Sequence, residues 1–187
     1  MTPNESITPK GDPYAPREDS ELLRQAILFQ DSRGLFLEIG VGMGSNLKGL
    51  ENRFSLVVGT DIQSRGAMID AKDKGVELVI ADRASCFRDH VFDLVACNPP
   101  YLPSSEIEDK AVDGGLLGLE VPLKFLSEAL RVSRHDAKII VILSSLGDLS
   151  EFRSFCDKIE ISCEVIMEKR LFFEILYAYL IRRKFGD

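Results

Sequence analysis

Three observations predict an α/β fold built on a mainly parallel sheet. From residue 35 onward, short apolar segments alternate with helical ones, the pattern that lays helices over both faces of a buried parallel sheet. The first apolar segment runs directly into a glycine-dense turn, Glu38-Ile39-Gly40-Val41-Gly42-Met43-Gly44. The last two, 161–169 and 172–182, meet tightly around Arg170. That spacing predicts a C-terminal antiparallel hairpin, because a parallel pair needs a long crossover. The expected architecture is a single domain with a seven-stranded, mainly parallel sheet.

The elements follow in order. Residues 1–19 hold Pro3, Pro9, Pro13 and Pro16 and almost no apolar periodicity, so they are expected to form an N-terminal arm without regular structure. The domain is expected to span 20–187. Its first helix should begin near Ser20, with Ser20 and Asp19 competing as N-cap, because Leu22, Leu23, Ala26, Ile27 and Gln30 recur near a 3.6-residue period. Strands are expected at 35–39, 56–60, 76–81, 92–97 and 138–143, ahead of the hairpin. Helices are expected at 45–52, 64–74, 121–132 and 150–158. The connection 98–119 is far longer than the usual two to six residues of such a loop. Long loops at strand carboxyl ends are where α/β proteins keep their sites. No internal repeat or linker divides the chain.

Composition narrows the function. Among 187 residues, 23 Lys and Arg face 30 Asp and Glu, a net charge of −7, with 45% apolar residues. This is a soluble globular balance, and it argues against a general nucleic-acid coat, which needs a basic face. Cys86, Cys97, Cys156 and Cys163 form no CxxC and sit in apolar or periodic stretches, so buried, reduced thiols of a cytosolic protein are expected. His90 and His135 are the only histidines, too few for a zinc site or a Ser-His-Asp triad. The longest apolar run, 139–143, is far short of a membrane span of about 18 residues. The N-terminus has no signal pattern, and a cytoplasmic location is expected.

Glycines in the first turn allow a sharp bend and close backbone approach to a ligand, with the following segment's N-terminus aimed at it. The candidate cofactor-binding residues there are Glu38, Gly40, Gly42 and Gly44. The spacing differs from the GxGxxG of nicotinamide enzymes. The second strand ends in Gly59-Thr60-Asp61, and a carboxylate at that tip can accept both ribose hydroxyls of an adenosine cofactor. The third ends in Ala81-Asp82-Arg83, a second acid suited to an adenine amino group. Either acid alone could be a helix N-cap.

The fourth strand ends in Cys97-Asn98-Pro99-Pro100-Tyr101. The prolines hold the backbone rigid and supply carbonyls without amide donors. Asn98 Oδ1 and the Pro99 carbonyl can then converge on one planar NH2 group, with Tyr101 stacked beside it.

Together, Glu38 to Gly44, Asp61, Asp82 and the Asn98-Pro99-Pro100-Tyr101 tetrapeptide resemble the class I S-adenosylmethionine-dependent methyltransferases that act on a planar nitrogen. The match is nearest to the HemK/PrmC family, glutamine N5-methyltransferases of class 1 translation release factors. Tyr14-Ala15-Pro16-Arg17-Glu18-Asp19-Ser20 resembles the Tyr-x-Pro-x-Glu-Asp-Thr motif of the archaeal and eukaryotic branch. Gly114-Gly115-Leu116-Leu117-Gly118-Leu119-Glu120 resembles the family's Gly-Gly-x-x-Gly-x-Glu loop. Ser20, Met43 and Arg83 depart from the usual residues. The resemblance implies a Rossmann-like fold with strand order 3-2-1-4-5-7-6, and S-adenosyl-L-methionine as cofactor. It implies that Glu38, Gly40, Gly42, Gly44, Asp61, Asp82, Arg83, Asn98 and Ser20 bind that cofactor. Asn98, Pro99, Pro100 and Tyr101 would be catalytic, fixing the Gln amide of a Gly-Gly-Gln loop. It also implies a release factor as protein substrate and a small zinc-containing activator protein covering an apolar edge, which 76–80 could supply. Alternatives are an adenine N6 or guanine N2 methyltransferase, since the same tetrapeptide serves extruded bases, and a non-catalytic cofactor-binding subunit. A nicotinamide dehydrogenase is disfavoured by the glycine spacing.

Overall fold

The computed structural model describes residues 18–63, 75–104, 113–115 and 117–184. The chain opens with helix α1 (Glu18–Phe29), followed by strands β1 (Leu35–Ile39), β2 (Leu56–Asp61), β3 (Val76–Ile80) and β4 (Phe92–Cys97). Two short strands, β5 (Leu102–Pro103) and β6 (Asp113–Gly115), lie in the long connection, before α2 (Glu120–Val132) and β7 (Ser133–Ser144). Helix α3 (Leu149–Lys158) then leads to β8 (Ile161–Arg170) and β9 (Ile175–Arg183). Among the described residues, seven strands join in the order β3-β2-β1-β4-β7-β9-β8, with β5 and β6 paired apart. The first five are parallel, and β9 is antiparallel to both β7 and β8. This is the expected order.

Strands buried on both faces split the core in two. Phe36, Val57, Leu94, Ala96, Ile140 and Ile142 face α1, where Leu22, Leu23, Ala26 and Ile27 are buried. Leu37, Ile39, Val95, Cys97, Ile139 and Val141 face the other way, onto Leu126 and Ala129 of α2 and Phe152 of α3. The two faces alternate residue by residue, as the pleat requires.

Several expectations are corrected. Helix α1 starts at Glu18, so Asp19 and Ser20 lie inside its first turn rather than capping it, and two residues of the expected arm are helical. The helix expected at 45–52 is a series of turns with a single 3₁₀ turn, Leu50–Asn52. Its bonds are i→i−3, Leu47 N to Gly44 O at 3.1 Å and Leu50 N to Leu47 O at 3.1 Å. Gly49 at φ +84° breaks any α-helical run, while Leu47 and Leu50 are still fully buried. The hairpin turn spans 171–174, closed by Leu171 N to Glu174 O at 2.8 Å, so Phe172 and Phe173 belong to the turn and not to β9. Cys97 and Cys156 are buried, but Cys86 is exposed and Cys163 half-buried, all four unpaired. The helix expected at 64–74, and residues 1–17 of the arm, lie outside the described residues. No described helix is long and apolar enough to cross a membrane.

Helix α1 holds one face of the sheet through a few side chains. Leu23→Ala is expected to cost about 2–5 kcal/mol, whereas Leu28→Ala, at a half-exposed position, should stay within about 0.5 kcal/mol of wild type. Urea denaturation of the two variants checks the contrast.

Candidate active site

The strand order sets the carboxyl ends of β3, β2, β1 and β4 side by side, about 4.8 Å apart. Asp82, Asp61, Gly40 and Asn98 therefore succeed one another along one edge. Gly40, Gly42 and Gly44 all take positive φ, at +79°, +53° and +72°. The turn is stitched to β2, with Gly40 N and Val41 N donating to Thr60 O at 2.8 and 3.0 Å. Asp61 closes it from outside. Its Oδ2 accepts Gly42 N at 2.9 Å and its Oδ1 accepts Gln63 N at 3.0 Å. Each carboxylate oxygen keeps a further acceptor site.

Beneath the turn, Glu38 is 2% exposed. Its Oε1 accepts Asn46 Nδ2 at 3.0 Å, and its Oε2 is buried without a donor. Burial pushes its carboxyl from the ordinary 4.5 up to about 7, with the Asn46 bond and the Arg24 charge pulling the other way. Arg24, from α1, donates to Asn46 O at 2.6 Å and Lys48 O at 2.9 Å. Asn46 and Arg24 were not picked out from the sequence, because the helix expected over 45–52 hid a turn whose side chains point inward.

At the tip of β4, Pro99 is buried and Asn98 half-buried. Asn98 Oδ1 is buried with no donor. The Tyr101 hydroxyl donates to Asp19 Oδ2 at 3.3 Å, tying the tetrapeptide to α1. Asp19 is itself 2% exposed and accepts Ser20 N at 2.6 Å. The glycines after the tetrapeptide now have a physical reason. A Cβ on Gly118 (φ +68°) would stand 2.5 Å from the Tyr101 carbonyl oxygen, and one on Gly114 2.8 Å from Tyr101 Cα. Backbone rests directly on backbone there, and only glycine permits it. Glu120 packs against Gly115, whose added Cβ would lie 2.7 Å from the Glu120 carboxyl carbon.

Ser20 lines an open cleft of about 510 Å³ with Arg24, Ser45, Asn46 and Lys169, so it faces the end of the glycine turn. Asp82 is arranged differently. Both its oxygens pair with the Arg83 guanidinium at 3.2 Å, and its side chain is 60% exposed. The expectation of a free adenine acceptor at Asp82 meets a surface ion pair. Ala81 N donates to Asp61 O at 2.9 Å, which holds the residue before Asp82 against the ribose candidate. Among the described residues, no group of three His, Cys, Asp or Glu could hold a metal ion.

No protein-family model matches the chain. A protein named as an N5-glutamine methyltransferase of Methanocaldococcus jannaschii is 29% identical over 168 residues, covering 81% of this chain and 84% of that protein. A release factor glutamine methyltransferase of Rhodospirillum rubrum is 31% identical over 153 residues, 70% of this chain; the match spans about half that protein, 46%. The chain is similar to protein glutamine N5-methyltransferases. Its fold matches that of the E. cuniculi Mtq2–Trm112 complex, described as methylating the eRF1 translation termination factor. The TM-score is 0.77 at 23% identity, with 93% of this chain and 100% of that one covered. The fold of this chain is therefore the Rossmann-like class I methyltransferase fold.

A raised Glu38 carboxyl favours folding only while it stays protonated. Its contribution is complete below pH 4.5 and is lost as pH rises through about 7. Relative to Glu38→Gln, wild type without cofactor is expected to lose about 3 kcal/mol of stability across that window. Parallel urea titrations at pH 4.5, 6 and 8 measure the difference, and a constant gap would exclude the assignment.

Proposed function

We propose that this chain transfers the methyl group of S-adenosylmethionine to the side-chain amide nitrogen of the glutamine in the Gly-Gly-Gln loop of a class 1 translation release factor. One observation carries the reading. Asn98 Oδ1 is a buried acceptor with no donor, at the tip of β4 in a tetrapeptide braced by Gly114, Gly118 and Asp19. Burying an unpaired acceptor costs roughly 1–3 kcal/mol, and an amide NH2 supplies what it lacks.

The cofactor suits the acceptors on the neighbouring tips. S-adenosylmethionine brings an ammonium and two ribose hydroxyls, all donors, and Glu38 Oε2 and Asp61 are acceptors. In this reading Glu38, Gly40, Gly42, Gly44, Asp61 and Ser20 hold it, with Asp82 and Arg83 at the outer end and Asn98 at the inner. When bound, it supplies an electrophilic methyl and leaves as a neutral thioether. Asn98 Oδ1 and the Pro99 carbonyl accept the two N–H bonds of the glutamine amide. That fixes the plane of the group and directs the nitrogen lone pair at the methyl carbon. As the N–C bond forms and the C–S bond breaks, the nitrogen becomes positive, and the same two acceptors stabilise it. The extra proton then passes to water, so no buried base is needed. Pro100 keeps the loop rigid, and Tyr101 flanks the amide.

The outer strand β3 is read as the seat of a small activator protein. Its Leu78 and Ile80 are exposed, with Ile62 beside its tip, and the resemblance implies that this partner contains zinc. The chain's relatives act in translation, which favours a cytoplasmic location. The domain division we keep is an arm at 1–19 and a methyltransferase domain at 20–187, with α1 reaching two residues into the arm.

Two substitutions separate the roles. Asn98→Ala is expected to lower kcat at least about 100-fold with cofactor affinity near wild type, and full turnover would remove Asn98 from the mechanism. Asp61→Ala is expected to weaken cofactor binding by about 10-fold or more in calorimetry, and an unchanged Kd would exclude the ribose contact. Radiolabelled methyl appearing on nucleic acid, with none on a purified release factor, would replace the substrate assignment.

A further inference from the structure

Beyond the buried site, one stretch of the same edge is unexpectedly apolar. Phe172 and Phe173 are 91% and 85% exposed, and Leu117 and Leu146, in connections bonded to one another through Asp148 N and Leu117 O, are about half exposed. The register explains their common position. Leu176 pairs with Ser144 at the carboxyl end of β7, so the turn preceding Ile175 projects beyond the carboxyl edge of the parallel strands. The two phenyl rings stack edge to face, centroids 4.6 Å apart at 83°.

This rim is wired to the tetrapeptide. Ser145 N donates to Ile175 O at 2.8 Å, and Ile175 N to Ser145 Oγ at 2.9 Å. The Ser144 hydroxyl donates to the Glu174 carboxylate and accepts Leu146 N at 3.1 Å. Asp148 N donates to Leu117 O at 3.1 Å, and Gly118 lies against the Tyr101 carbonyl. The aromatic turn is thus rigidly connected, through the loop after β7, to the backbone that carries Tyr101.

We propose that Phe172 and Phe173, with Leu146 and Leu117, form the docking rim for the polypeptide that carries the acceptor glutamine, gripping apolar side chains next to that residue. The inference rests on the proposed function: a protein substrate extends past the active site, and exposed phenyl rings fit its apolar side chains rather than the charged phosphates of a nucleic acid. Area decides what kind of partner fits. Two phenylalanines bury roughly 300–500 Å² between them, well below the approximately 800 Å² per partner of a stable interface. That suits a short segment engaged transiently during turnover, not a permanent subunit. The opposite edge of the sheet, at β3, lies on the far side of the cofactor turn and cannot serve this purpose.

The test measures initial rates of methyl transfer to a purified class 1 release factor over a range of its concentration. It compares wild type, Phe172→Ser/Phe173→Ser and Phe172→Leu/Phe173→Leu. The serine variant is expected to lose on the order of 10- to 100-fold in kcat/KM, almost entirely through KM. Its cofactor Kd and melting temperature should match wild type. The leucine variant should recover most of the loss. Transfer by wild type with unchanged kcat/KM in the serine variant overturns the rim and leaves the proposed function standing. Absence of transfer by wild type, assayed with and without the activator protein, overturns the proposed function and the rim with it. A fall in kcat at constant KM also overturns docking. So does unchanged transfer combined with loss of vesicle binding or of self-association, which would assign the rings to a lipid surface or a second copy.

Discussion

The parallel register that pairs Ile39 with Cys97 sets Gly40 and Asn98 side by side where β1 and β4 end. On the other flank of β1, Ile39 pairs with Thr60, which brings Asp61 to the glycine turn. A one-residue slip would exchange the two faces of a strand buried on both, moving Glu38 out from beneath the turn and Phe36 away from α1. The apolar residues on β1 therefore fix the active-site geometry as firmly as the polar ones. Glycines at the tip add no position of their own; they let the chain leave that position without colliding with Phe125, which a Cβ on Gly40 would approach to 3.2 Å.

Polar groups at this edge fall into two sets. One is satisfied internally: Asp61 by two amides, Asp19 by the Tyr101 hydroxyl and Ser20 amide, and Asn46 between Glu38 and Arg24. These contacts hold the frame. The other set, Asn98 Oδ1, Glu38 Oε2 and the Thr60 hydroxyl, is buried and unpaired, on three adjacent strands. Native interiors rarely leave polar groups in that state, and their concentration at neighbouring strand tips supports the proposed ligand site there. The raised Glu38 carboxyl has the same origin, since burial penalises its charge until a cation arrives. This is why the frame is rigid around a centre that is unsatisfied by itself.

Much of this was legible in the sequence, for reasons that name its limits. Strands β1 and β4 were placed to the residue because each is a short apolar run bounded by turn-formers. The strand order and the terminal hairpin followed from the alternation and the resemblance. Residues 45–52 were misread because Leu47 and Leu50 keep an apolar spacing compatible with a helix, while Gly49 at positive φ prevents one. Phe172 and Phe173 were misread as strand because they extend an apolar run, although the chain turns there and exposes them. Asp82 was rightly placed at a strand tip, but its pairing with Arg83 is a side-chain choice that spacing cannot encode. Asn46, Arg24 and Asp19 act through contacts across the fold, and no local pattern announces those.

The sheet's two edges then divide the work proposed for this chain. At one end, β3 is parallel and bare on its outer side among the described residues, with Leu78 and Ile80 exposed. Its open backbone and apolar side chains invite a lasting partner through strand-edge contact. At the other end, β9 folds back antiparallel, β8 forms the outer strand, and the turn at 171–174 that joins them projects from the carboxyl edge. That reversal is what converts a sheet terminus into a projecting apolar tip. Had the last strands continued as a parallel βα unit, the connection would have run over a face of the sheet and no turn would project at this end of the carboxyl edge. The antiparallel hairpin is therefore more than a way to end the fold. It brings the turn at 171–174 forward to the carboxyl edge on which the candidate site lies.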